Sequence, residues 1–286
     1  PGKVVVGLLG ARTDAAGLAA LAKTGATGID LGYLPRTLSR TQTMDALSSQ
    51  ASVAGYRAAV VAAHAFSRYF PMMITAAGTA KPAKVLVIGT GVAGLQAIGT
   101  AKRLGAVVTG YDVREASREE VESLGAKFLS PSGVEDAAGA GGYARELTAE
   151  ERAAQQAELA DYAVSNDIVI TTAQVPGRKP PVLLTADTVE RMGPGSVIVD
   201  LGSSALGGNV EGTAPGETAV TAGGVSLVGA ANLPAQMPAS ASVSYSRNVL
   251  ALVKAALSDG ALVIDTADEV FDAVVVCCDG TVREGK

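Results

Sequence analysis

At 286 residues the chain is long enough for two compact units. Its residues are 48% hydrophobic, with 34 glycines and no tryptophan, which excludes a disordered chain and suits buried Val/Ile strands with close small-residue helix contacts. A net charge of −5 with no basic stripe excludes nucleic acid as the main partner.

In chain order, Val4 to Leu9 reads as a strand, Ala15 to Lys23 as a helix stopped by Gly25, and Thr27 to Leu31 as a second strand. This βαβ fragment is too small to be a domain by itself. The polar stretch Arg36 to Ser49 leads into a long helix read through about Phe70 and closed by Pro71, with a short linker at Ala80 to Lys84. Alternation of the doubly wound kind follows. Strands are expected at Lys84–Ile88, Val107–Asp112, Lys127–Leu129, Asp167–Thr171 and Ser196–Leu201. Helices are expected at Gly94–Leu104, Ala116–Leu124, Thr148–Tyr162 and Ala186–Met192. Thr148-x-x-Glu151 has the form of a capping box. The uncharged run Thr218 to Ser246 is longer than a bilayer span. Its Pro234, Pro238, Asn232 and Gln236 argue instead for buried strand, loop and helix start. Ser240 to Leu257 reads as a helix, and Val263 to Cys278 holds strand-like runs.

The expected fold class is α/β, with two Rossmann-like lobes joined by long helices and a nucleotide cleft between them. Residues 1–50 and 240–286 form the first lobe, 51–80 a connecting helix and linker, and 81–239 the dinucleotide-binding domain. The chain begins at Pro1 without Met and carries no visible targeting segment, so the upstream part of the first lobe is expected to be missing. Cys277 and Cys278 are adjacent, so on a strand they point to opposite faces; they read as thiols in a reduced compartment, not as a metal pair or a disulfide. No metal site is expected.

The strongest motif is Gly89-x-Gly91-x-x-Gly94. Such a pattern alone is weak in a glycine-rich chain, but here it follows the buried strand Val85–Ile88, opens an Ala-rich helix, and precedes a strand ending in Asp112. Gly89 permits a tight turn, Gly91 admits the pyrophosphate to the backbone, and Gly94 allows close helix–strand packing. Asp112 would accept hydrogen bonds from the adenosine ribose, which favours NAD(H) over NADP(H), although nearby Arg114 could accept a 2′-phosphate. The coenzyme-binding set also takes in Val92, Val113 and, at a strand's carboxyl end, Thr172 and Ala173, with Thr171 a weaker neighbour. Asn232 is either a ligand contact or a turn former.

The block Arg36-x-x-x-Arg40-Thr-Gln42-Thr-Met-Asp45-Ala-Leu-Ser48-Ser-Gln50, followed by Ala54-Gly-Tyr-Arg57, resembles the loop of proton-translocating NAD(P) transhydrogenase. Ile74-Thr-Ala-Ala-Gly78, Gly141-Gly-Tyr143-Ala, Val199-Asp-Leu201 and Pro215-Gly-Glu217 extend the resemblance over nearly the whole chain. It is to the NAD(H)-binding component, domain I or the α subunit, of the alanine dehydrogenase/transhydrogenase family. The resemblance implies that hydride passes directly to or from NADP(H) on a separate partner domain. It also implies a transmembrane component, a homodimer, and a peripheral position on the cytoplasmic side of the membrane. Gln42, Asp45 and Ser48 would then lie at the nicotinamide and its ribose, and Tyr143 on a mobile loop over the nucleotide. Arg36 would be the loop arginine; the loop is one residue longer than usual before Gln42, so Arg40 is the alternative. The stretch Gly202 to Gly208 is also longer than its counterpart.

Direct transfer between nicotinamides needs no general acid or base, only near-attack geometry and exclusion of water. The chain's one histidine, His64, falls in an apolar helix, where a packing or surface role is expected. Taken alone, Gln42, Asp45 and Ser48 equally describe a solvated helix start. The rival reading is an alanine dehydrogenase-like soluble enzyme, which needs a cationic carboxylate anchor and a proton shuttle. A non-catalytic NAD(H)-binding module is the third.

Overall fold

The computed structural model describes residues 1–132, 145, 147–174 and 179–283. Chain packing separates two units, Pro1–Gln50 with Pro238–Lys286, and Ala51–Met237.

The first unit opens with β1 (Val4–Gly7), α1 (Ala15–Lys23) and β2 (Thr27–Asp30). The Asp14 carboxylate caps α1 by accepting from Gly17 N at 2.8 Å, and Gly25, at φ +72°, turns the chain out of it. A 3-10 turn over Ser39–Met44 then enters α2 (Ala46–Ala65).

Helix α2 is shorter than the sequence suggests: it stops at Ala65, not near Phe70. The aromatic residues beyond it turn inward instead. Phe66 and Phe70 are buried and meet edge-to-face at 6.1 Å, while Arg68 pairs with Asp167 at 2.6 Å and lies over the Phe66 ring. Beyond Pro71 comes a hairpin of β3 (Met73–Thr75) and β4 (Gly78–Ala80), which none of the expected elements covers.

The second unit continues with β5 (Lys84–Ile88), α3 (Val92–Arg103), β6 (Val107–Tyr111), α4 (Arg118–Ser123), β7 (Lys127–Leu129) and α5 (Ala149–Val164). It is completed by β8 (Ile168–Thr171), α6 (Ala186–Glu190), β9 (Val197–Asp200), β10 (Thr218–Val220) and β11 (Ser226–Gly229). Thr148 and Glu151 form the expected capping box on α5. The seven-stranded sheet has the order β10-β11-β9-β8-β5-β6-β7, parallel except at β10. The chain builds outward from β5 through β6 to β7, then crosses back to β8 on the other side. The carboxyl ends of β5 and β8 therefore flank a topological switch point, where open α/β sheets bind ligands.

Period-two alternation along these strands feeds two cores on opposite faces. Val85, Val87, Ile168, Ile170, Val197 and Val199 face one side with Ile98 and Ala101, whereas Leu86, Ile88, Val169 and Ile198 face the other with Leu159 and Leu184. Each such side chain, fully buried, contributes roughly 1.5–3 kcal/mol.

The chain returns to the first unit with α7 (Pro238–Ala255), β12 (Leu257–Ser258), β13 (Ala261–Leu262), α8 (Glu269–Val274), β14 (Val275–Cys278) and β15 (Thr281–Val282). Only part of the segment that looks strand-like in sequence is strand. Asp268 accepts from Val270 N at 2.8 Å, and Val270, Phe271 and Val274 bury a helical face, so α8 forms first. The four-stranded sheet β1-β2-β14-β15 is mixed: β1 and β2 are parallel, and β14 runs antiparallel to β2. Cys277 and Cys278 are free thiols packed into different apolar clusters, and burial pushes the Cys277 thiol up.

Candidate functional site

The turn from β5 into α3 uses each glycine for a different reason. Gly89 sits at φ +90°, where a side chain is strained, and a Cβ there would lie 2.6 Å from Thr172 Oγ1. Gly91 is the N-cap of α3, and a Cβ on it would meet nothing within 4 Å. The loop is therefore open at the point where a ligand would approach. With no side chain on Gly91 to cap the helix, its opening amides and the positive end of its dipole remain an anion site. Gly94 is a packing glycine: its Cβ would fall 1.9 Å from Gly89 O. Val92, at the first helical position, is exposed.

Asp112 follows β6 and is buried. Its Oδ2 accepts from Thr90 N at 2.7 Å and Thr90 Oγ1 at 2.9 Å, so the carboxylate fixes the glycine loop itself. Arg114 closes over it, donating from N and Nε to Oδ1, both at 2.9 Å, and from a terminal nitrogen to Oδ2 at 2.8 Å. Burial alone would raise the pKa of Asp112; the Arg114 hydrogen bond and charge, with the Thr90 and Arg114 amides, outweigh it and hold the group below the ordinary range. Val113 packs half-buried against the Leu86–Ile88 core.

A carboxylate whose pKa is lower folded than unfolded contributes its full stability above the unfolded value, about 4, and loses it as the pH falls toward the folded value. The melting midpoint is therefore expected to hold between about pH 7 and 5 and to drop below about pH 4. Asp112→Asn should flatten part of that drop in a pH series of thermal melts; an equally steep drop in the variant would remove Asp112 from its cause.

Thr172 donates its hydroxyl to Gly89 O at 2.9 Å and so braces the turn, with Ala173 half-buried beside it. Thr171 does not face a crevice: it is fully buried and donates to Asp200 Oδ1 at 2.9 Å. Asn232 adopts the left-handed conformation, φ 48°, exposed at the start of a 3-10 turn, which is turn geometry. His64 is exposed on α2. Tyr143 and the glycine-rich stretch 137–142 lie outside the described residues.

In the first unit, Arg36, Asp45 and Ser48 come together at the start of α2. Asp45 accepts from Ser48 N at 2.8 Å and Ser48 Oγ at 2.7 Å, while Arg36 reaches Asp45 Oδ2 at 2.9 Å and Ser48 Oγ at 2.8 Å. Burial opposes ionisation of Asp45, but the Ser48 hydroxyl and amide and then Arg36 hold its pKa below the ordinary range. Arg40 is engaged elsewhere, gripping Asp268 at 2.7 and 3.0 Å and Glu269 at 3.1 Å, so it ties the loop to α8. Gln42 is exposed on the 3-10 turn and contributes its carbonyl to Asp45 N at 3.3 Å.

Three further positions carry roles that the sequence does not announce. Thr90, the middle residue of Gly89-Thr-Gly91, joins loop to acid. Gly55, in mid-helix, lets α2 touch the start of α3, since a Cβ there would lie 2.0 Å from Ala93 O; a glycine among helix formers is the available signal. Asp200, fully buried, accepts from Thr171 Oγ1, Gly202 N, Val210 N and Thr213 Oγ1, and so organises the loop after β9.

A parallel sheet with the 3-2-1-4-5-6 strand order and this glycine turn at its switch point define the second unit as a Rossmann-type dinucleotide fold. The profile of the alanine dehydrogenase/PNT C-terminal domain matches residues 58–285. The first of the separately encoded pieces of the NAD(P) transhydrogenase alpha subunit in Rickettsia prowazekii is 47% identical over 281 residues, 98% of this chain and 72% of that protein. Its counterpart in Rhodospirillum rubrum is 46% identical over 285 residues, 98% of this chain and 73% of that protein. The solved structure of transhydrogenase from Sinorhizobium meliloti superposes with a TM-score of 0.87 at 40% identity, covering 99% of this chain and 75% of that one. The chain belongs to the alanine dehydrogenase/PNT family, on its NAD(P) transhydrogenase subunit alpha side. Among the described residues no helix is long and apolar enough to cross a membrane.

Proposed function

We propose that the chain is the NAD(H)-binding component of a proton-translocating transhydrogenase, exchanging hydride with NADP(H) held on a partner domain. The observation that carries the reading is the open Gly91 at the uncapped start of α3, beside a buried acid at the end of the next strand. The pyrophosphate rests on the amides opening α3, and Asp112 takes the adenosine ribose; Gly89, Val92, Gly94, Val113, Arg114, Thr172, Ala173, Tyr143 and Asn232 complete the coenzyme set. NAD(H), when bound, supplies the hydride-carrying ring. Arg36, Gln42, Asp45 and Ser48 serve that ring and its ribose by positioning.

The electrostatics of Asp45 support positioning over proton transfer. A carboxylate held ionised by Ser48 and Arg36 is a poor general acid at neutral pH, and direct hydride transfer requires none. A transmembrane component, a homodimer and a peripheral seat on the cytoplasmic face of the membrane complete the proposal.

The test mixes the protein with an NADP(H)-binding partner component and follows hydride exchange between NADH and an oxidised nicotinamide analogue in the presence of NADP(H). Exchange that depends on both components is expected. Alanine-dependent reduction of NAD without a partner would establish the alanine dehydrogenase reading instead. In the same assay Asp45→Asn is expected to slow transfer by about ten- to a hundredfold with little change in NADH affinity, the loss expected for one charge-assisted contact. Equal rates would take Asp45 out of the site.

A further inference from the structure

The Asp112–Arg114 pair bears on how the site chooses between the two coenzymes, and the inference rests on the reading that the Gly89–Gly94 loop holds a dinucleotide. Arg114 lies two residues beyond the ribose acid, where an arginine suits a 2′-phosphate. Its guanidinium is turned onto Asp112 instead: Nε meets Oδ1 at 2.9 Å and a terminal nitrogen meets Oδ2 at 2.8 Å, a two-point grip in which both partners are largely buried. The Arg114 backbone amide also donates to Oδ1 at 2.9 Å, so the turn after β6 is wound around the same carboxylate.

We propose that Asp112 excludes NADP(H) twice over, by its own charge and by withholding Arg114, so that this chain carries a latent 2′-phosphate site which the carboxylate keeps out of use. The carboxylate repels the dianionic phosphate of NADP(H) directly. It also neutralises a neighbouring cation that has the chemistry to receive that phosphate, and the pair as a whole presents no net positive charge. The unmodified ribose of NAD(H) has hydroxyl donors, which an anionic acceptor suits. For a site that exchanges hydride with NADP(H) on another component, this rejection keeps the two coenzymes in their own places.

The expectation differs from that of a simple repulsion. If charge alone excluded the phosphate, removing Asp112 would relax discrimination whatever stood at position 114. If the arginine is withheld, the gain requires it. Binding of NADH, NADPH and 2′,5′-ADP is measured by calorimetry on the wild type, Asp112→Ser, Asp112→Asn, Arg114→Ala and the Asp112→Ser/Arg114→Ala double variant. Wild type should take NADH and reject both 2′-phosphorylated ligands. Asp112→Ser should gain about ten- to a hundredfold in affinity for NADPH and 2′,5′-ADP, the size of one or two charge-assisted hydrogen bonds, and the double variant should lose that gain. Asp112→Asn, which keeps an acceptor for Thr90, should show the same sign and guards against a serine variant that fails to fold. An equal gain in the double variant, or none in either single Asp112 variant while wild type still binds NADH, overturns the withheld arginine alone. Wild type that binds neither coenzyme overturns the dinucleotide reading and this inference with it.

Discussion

Gly94→Ala is expected to destabilise the second unit by several kcal/mol and to abolish NADH uptake with it. The added methyl would sit 1.9 Å from Gly89 O and 2.9 Å from Gly89 C, well inside contact, and both atoms are backbone. No side-chain rotation relieves such an overlap; helix α3 must lift away from the end of β5. That movement opens the cluster in which Ala97, Ile98 and Ala101 pack against Val85 and Val87. Overpacking of this kind costs about 1–3 kcal/mol even where flexible side chains yield, and more against backbone. The same movement displaces the amides that open α3, so binding fails for a geometric reason even in molecules that remain folded. Gly91→Ala provides the contrast, because its Cβ meets nothing within 4 Å. It should fold like the wild type and bind NADH more weakly, since the methyl occupies the approach to the loop. Thermal melts and calorimetric titrations read the two effects separately. A Gly94→Ala protein with wild-type melting and NADH affinity would show that the helix start is not fixed by this contact.

Asp200→Ala should cost about 3–5 kcal/mol, the range for removing one side of a buried charged network. The carboxylate is fully buried and is bound by Thr171 Oγ1 at 2.9 Å, Gly202 N at 2.8 Å, Val210 N at 3.2 Å and Thr213 Oγ1 at 2.8 Å. Alanine leaves all of those donors in a dry environment with no acceptor, at about 1–3 kcal/mol for each that water does not reach. Asp200→Asn retains an acceptor oxygen but brings an amide that faces donors, so an intermediate loss is expected. Hydrogen exchange should place the change at residues 201–213 and the carboxyl end of β9, with the centre of the sheet protected. Denaturant unfolding that shifts by less than about 1 kcal/mol would mean water replaces the carboxylate.

What the sequence makes legible follows from how local each cause is. The β5–α3–β6 stretch can be read residue by residue because apolar runs, glycine spacing and the terminal acid all act over short distances along the chain. The end of α2 cannot: Phe66 and Phe70 continue the apolar pattern of a helix, and only the core they enter shows that the chain turns there. Helix α8 is hidden for a related reason, since a short apolar run such as Val270 to Val274 suits strand or helix until its cap and buried face are known. At the candidate site the residue types are readable but their pairings are not. Arg36 and Arg40 look interchangeable in sequence; one meets Asp45 and Ser48, and the other meets Asp268, which stands far along the chain. Asp200 gathers donors from either side of a long loop, a convergence that no local pattern announces.

The strand β2 (Thr27–Asp30) finds its antiparallel neighbour in β14 (Val275–Cys278), while everything from Ala51 to Met237 belongs to the other unit. During synthesis, the stretch between them emerges as an uninterrupted piece able to collapse on its own, whereas β1 and β2 wait, one sheet edge bare, until β14 leaves the ribosome. The early segment thus depends on protection by chaperones, and a pause in translation after Met237 would release a polypeptide whose coenzyme fold is finished and whose opening strands are still looking for a mate.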